Sequence, residues 1–149
     1  MKTKIPPRSP FSLIQEDLWP SEWKILISCM MLNCTTRRQV EKILPAFFKR
    51  WPTPESLSSA NVGEVSSMIS SLGFQNRRAE ALVKMTKAYL KKDWKHAQEL
   101  PGIGQYASAA WQIFVLGTLP DNCPKDHALV LYYKWIKEKE AAGLPLSIL

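Results

Sequence analysis

From Phe11 onward, apolar residues recur at intervals of three and four, the signature of helices with one buried face. Ser21 can cap a helix carrying Trp23, Ile25, Leu26, Ile27 and Met30, apolar on most faces and therefore expected at the centre of the molecule. Val40, Ile43, Leu44, Phe47, Phe48 and Trp51 form a second stripe, within which Pro45 is expected to kink the helix. Thr53-Pro54 reads as a helix start. Asn61 with Glu64 resembles a capping box ahead of Val65, Met68, Ile69 and Leu72, and Gly73 ends that helix. Another begins near Asn76 and places Leu82, Val83, Tyr89 and Leu90 on its apolar side. A short helix over about 94–99 leads into Leu100-Pro101-Gly102-Ile103-Gly104, followed by a helix with Ala107, Ala110, Trp111, Phe114 and Val115 facing inward. After a loop over 120–124, a last helix opens around Asp126 and carries Leu129, Tyr133, Trp135 and Ile136. No strand pair emerges. The pattern predicts an all-α protein of about eight to ten helices, with residues 1–10 as an extended basic arm and 11–149 as one domain.

Composition narrows the partner. Hydrophobic residues make up 46% of the 149, with six tryptophans and five phenylalanines, enough for a packed core and against disorder. Twenty Lys and Arg against 13 Asp and Glu leave a net charge of +7, which suits a polyanion. Cys29, Cys34 and Cys123 are odd in number and lack any C-x-x-C, so neither a disulfide framework nor a four-ligand zinc or iron–sulfur site is indicated. No cofactor is expected, and a reducing, intracellular compartment is the simplest reading. The first ten residues lack the apolar core of a signal peptide, and no apolar run is long enough for a bilayer, so no membrane partner is expected.

The informative stretch is Glu99 to Ala110, E-L-P-G-I-G-Q-Y-A-S-A-A. Pro101 closes one helix, while Gly102 and Gly104 permit a hairpin with positive φ or close backbone approach. Ile103 between them is expected to tuck inward. The amides of the turn and of the next helix's first turn, around Gln105, then offer a phosphate site that ignores base sequence. A tight helix–turn–helix corner without a ligand would use the same residues. Asp126 lies 24 residues after Gly102, where it opens the last helix. A helix N-cap is the plain reading of that aspartate.

Taken together, L-P-G-I-G, a small-residue helix and an aspartate opening the following helix resemble the helix-hairpin-helix DNA glycosylase superfamily. The resemblance is greatest to the glycosylase domains of its methyl-CpG-binding-domain thymine glycosylases. It extends from Pro6-Pro7-Arg8-Ser9-Pro10-Phe11 through W-K-I-L-I at Trp23, L-N-C-T at Leu32, S-L-G-F at Ser71 and G-I-G-Q-Y at Gly102 to D-H-A-L-V at Asp126. It implies two helical lobes with the active site in the cleft between them. Asp126 would be the catalytic carboxylate, stabilising positive charge on the sugar as the N-glycosidic bond breaks.

The same resemblance puts Gln15 and Tyr106 on the polar edge of a flipped pyrimidine and Leu32 in the pocket or on its DNA-facing rim. Tyr106 also occupies the position where strand-nicking relatives carry a lysine nucleophile, which implies a monofunctional enzyme. Cys34 stands where the family has an arginine wedge, and Phe74 where it has a second intercalating residue, while Ala128 replaces a lysine. Thr35, Arg37, Arg38, Arg77 and Arg78 are candidate phosphate contacts. The hairpin of the family can hold a monovalent cation on backbone carbonyls, here those of Gln98, Leu100 and Ile103. The implied partner is double-stranded DNA with a mismatched base, bound by a monomer, in the nucleus if the source is eukaryotic. The alternatives are a non-catalytic helix-hairpin-helix DNA-binding module, and a glycosylase for another mispaired base such as adenine.

Overall fold

The structure, a computed structural model, describes residues 8–33, 35–120 and 127–142, and every regular element among them is helical. In chain order these are α1 (Ile14–Leu18), α2 (Glu22–Leu32), α3 (Arg37–Arg50), α4 (Pro54–Ser58), α5 (Val62–Met68), α6 (Gln75–Lys91), α7 (Gln105–Trp111) and α8 (His127–Ala141). Short 3₁₀ turns fill Ser70–Leu72 and Ala97–Glu99, and a π-helical turn at Gln112–Leu116 continues α7.

The all-round apolar α2 is the hub. Seven of its eleven residues are buried, and it packs against α1, α3, α6 and α7. Its N-terminus is capped as the sequence implies, with Ser21 Oγ accepting from Lys24 N at 3.4 Å. Polar atoms on this helix are paired inside the core: Ser28 Oγ donates to Ile25 O, and Trp23 Nε1 donates to Thr86 Oγ1 on α6 at 3.0 Å. Buried amide and hydroxyl groups without partners would be costly, and no buried side-chain nitrogen or oxygen among the described residues lacks one.

Glu22 ties three helices together. Its carboxylate accepts from Tyr89 Oη on α6 at 3.0 Å and from Trp111 Nε1 on α7 at 2.8 Å. Burial, followed by the Glu22 charge, pushes the Tyr89 phenol well above its ordinary range. Burial does the same to Tyr132 of α8, with a smaller contribution from the Glu16 charge on α1.

Four local expectations are refined. The stripe on α3 is buried at Val40, Ile43, Leu44 and Phe47, and the helix continues through Pro45, whose ring faces outward. Asn61 caps α5, but Glu64 does not complete a box: its carboxylate binds Arg50 at 2.8 and 3.0 Å instead. The helix expected over 94–99 shrinks to a single 3₁₀ turn, because the Glu99 carboxylate takes up the amides of Lys95 and His96. At the beginning of the described chain, Ser9 is buried rather than extended in solvent. Its amide and hydroxyl donate to Glu16 at 2.5 and 2.8 Å, and Arg8 binds Asp17.

Candidate nucleic-acid interface and active-site cleft

A cleft of about 450 Å³ opens over the C-terminal half of α2. Cys29, Met30 and Met31 form its floor, the start of α6 with Phe74, Arg77 and Arg78 forms one rim, and the Gly102–Tyr106 hairpin forms the other. Two glycine-containing turns, with Gly73 and Gly102 29 residues apart in sequence, therefore flank the same groove.

The hairpin rim is built on backbone. Gly102 has φ +81°, the left-handed region that favours glycine. A Cβ there would also meet Met30 Cε at 2.8 Å, so the turn needs glycine for space as well as conformation. Ile103 is buried, anchoring the turn as expected. Gly104 differs from the positive-φ option: at φ −94° and ψ −165° its backbone is extended, and a Cβ would meet nothing within 4 Å. Its lack of a side chain leaves the amides entering α7 open to a close partner. Gln105, at the first position of α7, is exposed beside them. Of the three carbonyls expected to face a cation, that of Leu100 accepts Ile103 N at 3.3 Å, a long bond that leaves a second lone pair. Neutral carbonyl oxygens are suitable donors for a hard monovalent ion, whereas no group of three His, Cys, Asp or Glu among the described residues could hold a metal.

The opposite rim presents a side chain. Gly73 has φ +78°, and the left-handed conformation carries on into Phe74 at φ +49°, where a bulky residue is strained. Phe74 is nevertheless 75% exposed, so no packing compensates the strain. Arg77 is exposed beside it and makes no ion pair among the described residues.

Of the remaining basic and hydroxyl candidates, Arg78, Arg37 and Thr35 are engaged within the protein. Arg78 donates Nη1 to Met31 O at 2.9 Å and Nη2 to Asn33 O, satisfying carbonyls left open at the end of α2. Arg37 binds Glu41 and the carbonyls of Phe11 and Ser12, holding the segment before α1 against α3. The Thr35 hydroxyl donates to Met31 O. Arg38 is exposed, and Leu32 is partly buried against the core. Asp126 and Cys34 lie outside the described residues; the first residue after Asp126, His127, begins α8.

Behind the cleft lining, buried Gln15 of α1 and Tyr106 of α7, 91 residues apart, meet directly. Gln15 Nε2 donates to Tyr106 Oη at 2.6 Å and to Cys29 Sγ at 3.4 Å. Gln15 is buried and both of its partners line the cleft. Sequence reasoning named Gln15 and Tyr106 but missed Cys29. A single cysteine on an apolar helix carries no local signal, and only its neighbour from another helix reveals it. Glu16 was missed similarly: a carboxylate followed by Asp17 looks solvated until Ser9 and Leu13 are seen donating to it.

Comparison with known proteins agrees with this architecture. Residues 27–141 match the family described as HhH-GPD superfamily base excision DNA repair protein. The chain is 33% identical over 135 residues to the methyl-CpG-binding domain protein 4-like protein of Arabidopsis thaliana, covering 91% of this chain and 30% of that protein. It is 33% identical over 94 residues to the thymine-DNA glycosylase of Aeropyrum pernix, covering 58% of this chain and 42% of that one. Adenine DNA glycosylases match as well, at 34% identity over 100 residues (63% of this chain and 34% of that protein) for Mycolicibacterium smegmatis. The solved structure of a thermostable thymine-DNA glycosylase superposes with a TM-score of 0.63 at 25% identity, over 75% of this chain and 52% of that one. The chain thus spans less than half the length of these curated relatives. No helix among the described residues is long and apolar enough to cross a membrane. A family match over most of the chain, on a helical fold with a glycine hairpin facing a cleft, leads to one conclusion: the chain belongs to the HhH-GPD superfamily of base excision DNA repair proteins.

Proposed function

We propose that this chain is a monofunctional DNA glycosylase that removes thymine or uracil from G:T and G:U mismatches by base flipping and hydrolysis of the N-glycosidic bond. The observation that carries the reading is the Gln15–Tyr106 contact beside the cleft: two hydrogen-bonding side chains brought together from distant helices, with Tyr106 lining the space that would receive an extruded base. The thymine-DNA glycosylases among its relatives support the choice of base.

The steps follow from charge and reach. The hairpin holds backbone phosphates through amides, which positions the duplex without reading its sequence. Phe74 enters the stack as the nucleotide leaves, and Arg77 holds a phosphate on the same rim. A mismatched base unpairs at lower cost than a paired one, which contributes to selection. Asp126 faces C1′. As the bond to the base lengthens, the sugar acquires oxocarbenium character, and a fixed carboxylate stabilises it and orients the attacking water. With Tyr106 where a lysine nucleophile would be required, no Schiff base forms there and the product is an abasic site.

Duplexes carrying G:T, G:U and adenine-containing mispairs, incubated with the protein and then treated with or without alkali, test the reading. Strand breaks are expected from G:T and G:U, and only after alkali. Breaks from the adenine duplexes alone would favour the substrate of the other relatives; none from any duplex would leave a DNA-binding module. Asp126→Asn is expected to slow base release by about 10²–10³-fold, the usual effect of losing one transition-state electrostatic group. Normal release by that variant would remove Asp126 from the mechanism.

A further inference from the structure

Charge is distributed very unevenly along this chain. Residues 77–95 contain seven Lys and Arg against two acids, Glu80 and Asp93, so 19 of the 149 residues carry +5 of the net +7. Most of this segment is α6, which buries Ala79, Leu82, Val83, Met85 and Thr86. Residues seven apart on a helix lie within about 20° of one another. Arg77, Lys84 and Lys91 therefore share the outward face, with Lys87 beside them, and all four are exposed. The helical rise makes this row about 21 Å long. Lys92 and Lys95, both exposed, extend it past the end of the helix to the 3₁₀ turn, where Glu99 accepts the Lys95 amide.

The outward face of a helix is ordinarily charged and merely solvated, and elsewhere in this protein several cations on such faces are paired. Arg37 binds Glu41, Arg50 binds Glu64 and Lys137 binds Glu140. On α6 the favourable spacing is available, with Glu80 four residues before Lys84. None of the outward cations of α6 nevertheless makes an ion pair among the described residues. Lys84, Lys87 and Lys91 instead repeat at three and four residues, spacings at which like charges destabilise a helix. An anion from outside the chain offsets that cost.

We propose that this row is a second DNA-contact surface, on which the duplex continues beyond the part held at the cleft. Two features select duplex DNA as the occupant. The row is continuous with the cleft, because Arg77 belongs to both. It also links the two rims along the chain, starting just after Phe74 and ending at the turn that leads into the hairpin. Its charges are flexible ammonium groups at regular intervals, which suit a phosphate backbone better than one compact anion. Such contacts hold DNA without reading its sequence. This inference goes beyond the glycosylase reading and holds whichever base is released.

The triple substitution Lys84→Gln, Lys87→Gln, Lys91→Gln removes the middle of the row and leaves Arg77 and the cleft intact. Affinity for a duplex of about 30 base pairs, about three helical turns, is measured against salt concentration. A brief hydroxyl-radical footprint is taken on the same duplex with a central G:T pair. Each lost phosphate contact changes the slope of log K against log salt by about 0.9, so the slope is expected to become shallower by about 2 to 3. Affinity at low salt is expected to fall about tenfold or more, equally for matched and mismatched duplexes. The footprint is expected to shorten on one side of the mismatch, with single-turnover base release at saturating protein unchanged. The Tm is expected to hold or rise as the like-charge repulsion is relieved, so the loss of binding is not a loss of folding.

A control variant, Lys42→Gln, Lys49→Gln, Lys134→Gln, changes the net charge equally at exposed sites on α3 and α8. It is expected to alter the slope by less than about 1, because charges beyond about 10 Å from the DNA are screened. An unchanged slope in the α6 variant overturns the proposal. An equal loss from the control does so too, since net charge alone would then explain the effect. Weaker binding with an intact footprint also overturns it, because the lysines would then be acting at a distance. Absence of base release from every duplex would refute the glycosylase reading and leave the slope and the footprint to decide this proposal.

Discussion

The two rims of the cleft solve the same local problem in opposite ways. Each is a turn with a positive-φ glycine that feeds the first turn of a helix, Gly102 before α7 and Gly73 before α6. At the hairpin, the unusual conformation stops at the glycine, the apolar Ile103 is buried, and Gly104 leaves the backbone uncovered. At the other rim, the left-handed conformation extends to Phe74, and the apolar side chain is left in solvent. One rim is organised to present amides and the other to present an aromatic ring. The contrast suits two separate tasks: gripping a phosphate backbone wherever it lies, and filling space in a base stack.

Substitutions can break this contrast in different directions. The largest effect is expected from Gly102→Val, which places a β-branched residue at positive φ and drives its Cβ toward Met30. Backbone strain and overpacking each contribute about 1–3 kcal/mol, so a fall in Tm of about 10 °C is expected for a domain of this size. Affinity for matched and mismatched duplexes should fall by the same factor, measured by titration at fixed salt. A loss confined to mismatched DNA would show that the hairpin reads more than phosphate.

Phe74→Gly should separate stability from activity. Relief of the left-handed strain is expected to stabilise the protein by about 1 kcal/mol, seen as a higher denaturation midpoint. Base release in a single turnover should slow by about tenfold, because the vacated stack is no longer filled. Equal activity would mean that the exposed ring has no part in extrusion, and the comparison between the rims would lose its functional half.

The smallest effect concerns the support behind the hairpin. Glu99 accepts the amides of His96 and Lys95, and these bonds hold its carboxyl below the ordinary glutamate value of 4.5. A carboxyl with a lowered folded-state pKa contributes stability above its unfolded value and loses it as pH falls through the folded one. Glu99→Gln is therefore expected to melt slightly lower than wild type at neutral pH, with the two curves converging as pH drops below about 4.5. A difference that widened toward acid pH would contradict this account of the turn.

Arg77 and Arg78 show where sequence reasoning stops. Adjacent and identical, they are indistinguishable in a linear pattern, and both were assigned to phosphate. One residue along a helix rotates the side chain by about 100°. Arg77 thereby faces solvent on the rim, while Arg78 turns toward the end of α2 and bonds Met31 and Asn33. Arg37 likewise binds the chain before α1. Whether such a cation meets DNA or a neighbouring carbonyl depends on what the fold places within its reach.

Properties carried by neighbours in sequence were determined by the sequence itself. The helical class follows from three- and four-residue spacing, the Ser21 and Asn61 caps from side chains that reach amides three residues on, and the hairpin from a proline and two glycines around one isoleucine. Tertiary structure alone decided which polar groups meet. Gln15, Cys29 and Tyr106 come from three helices, and no local periodicity relates them. Burial turns that meeting into chemistry: water no longer supplies the missing partners, so each hydrogen bond dictates what the next group can accept or donate.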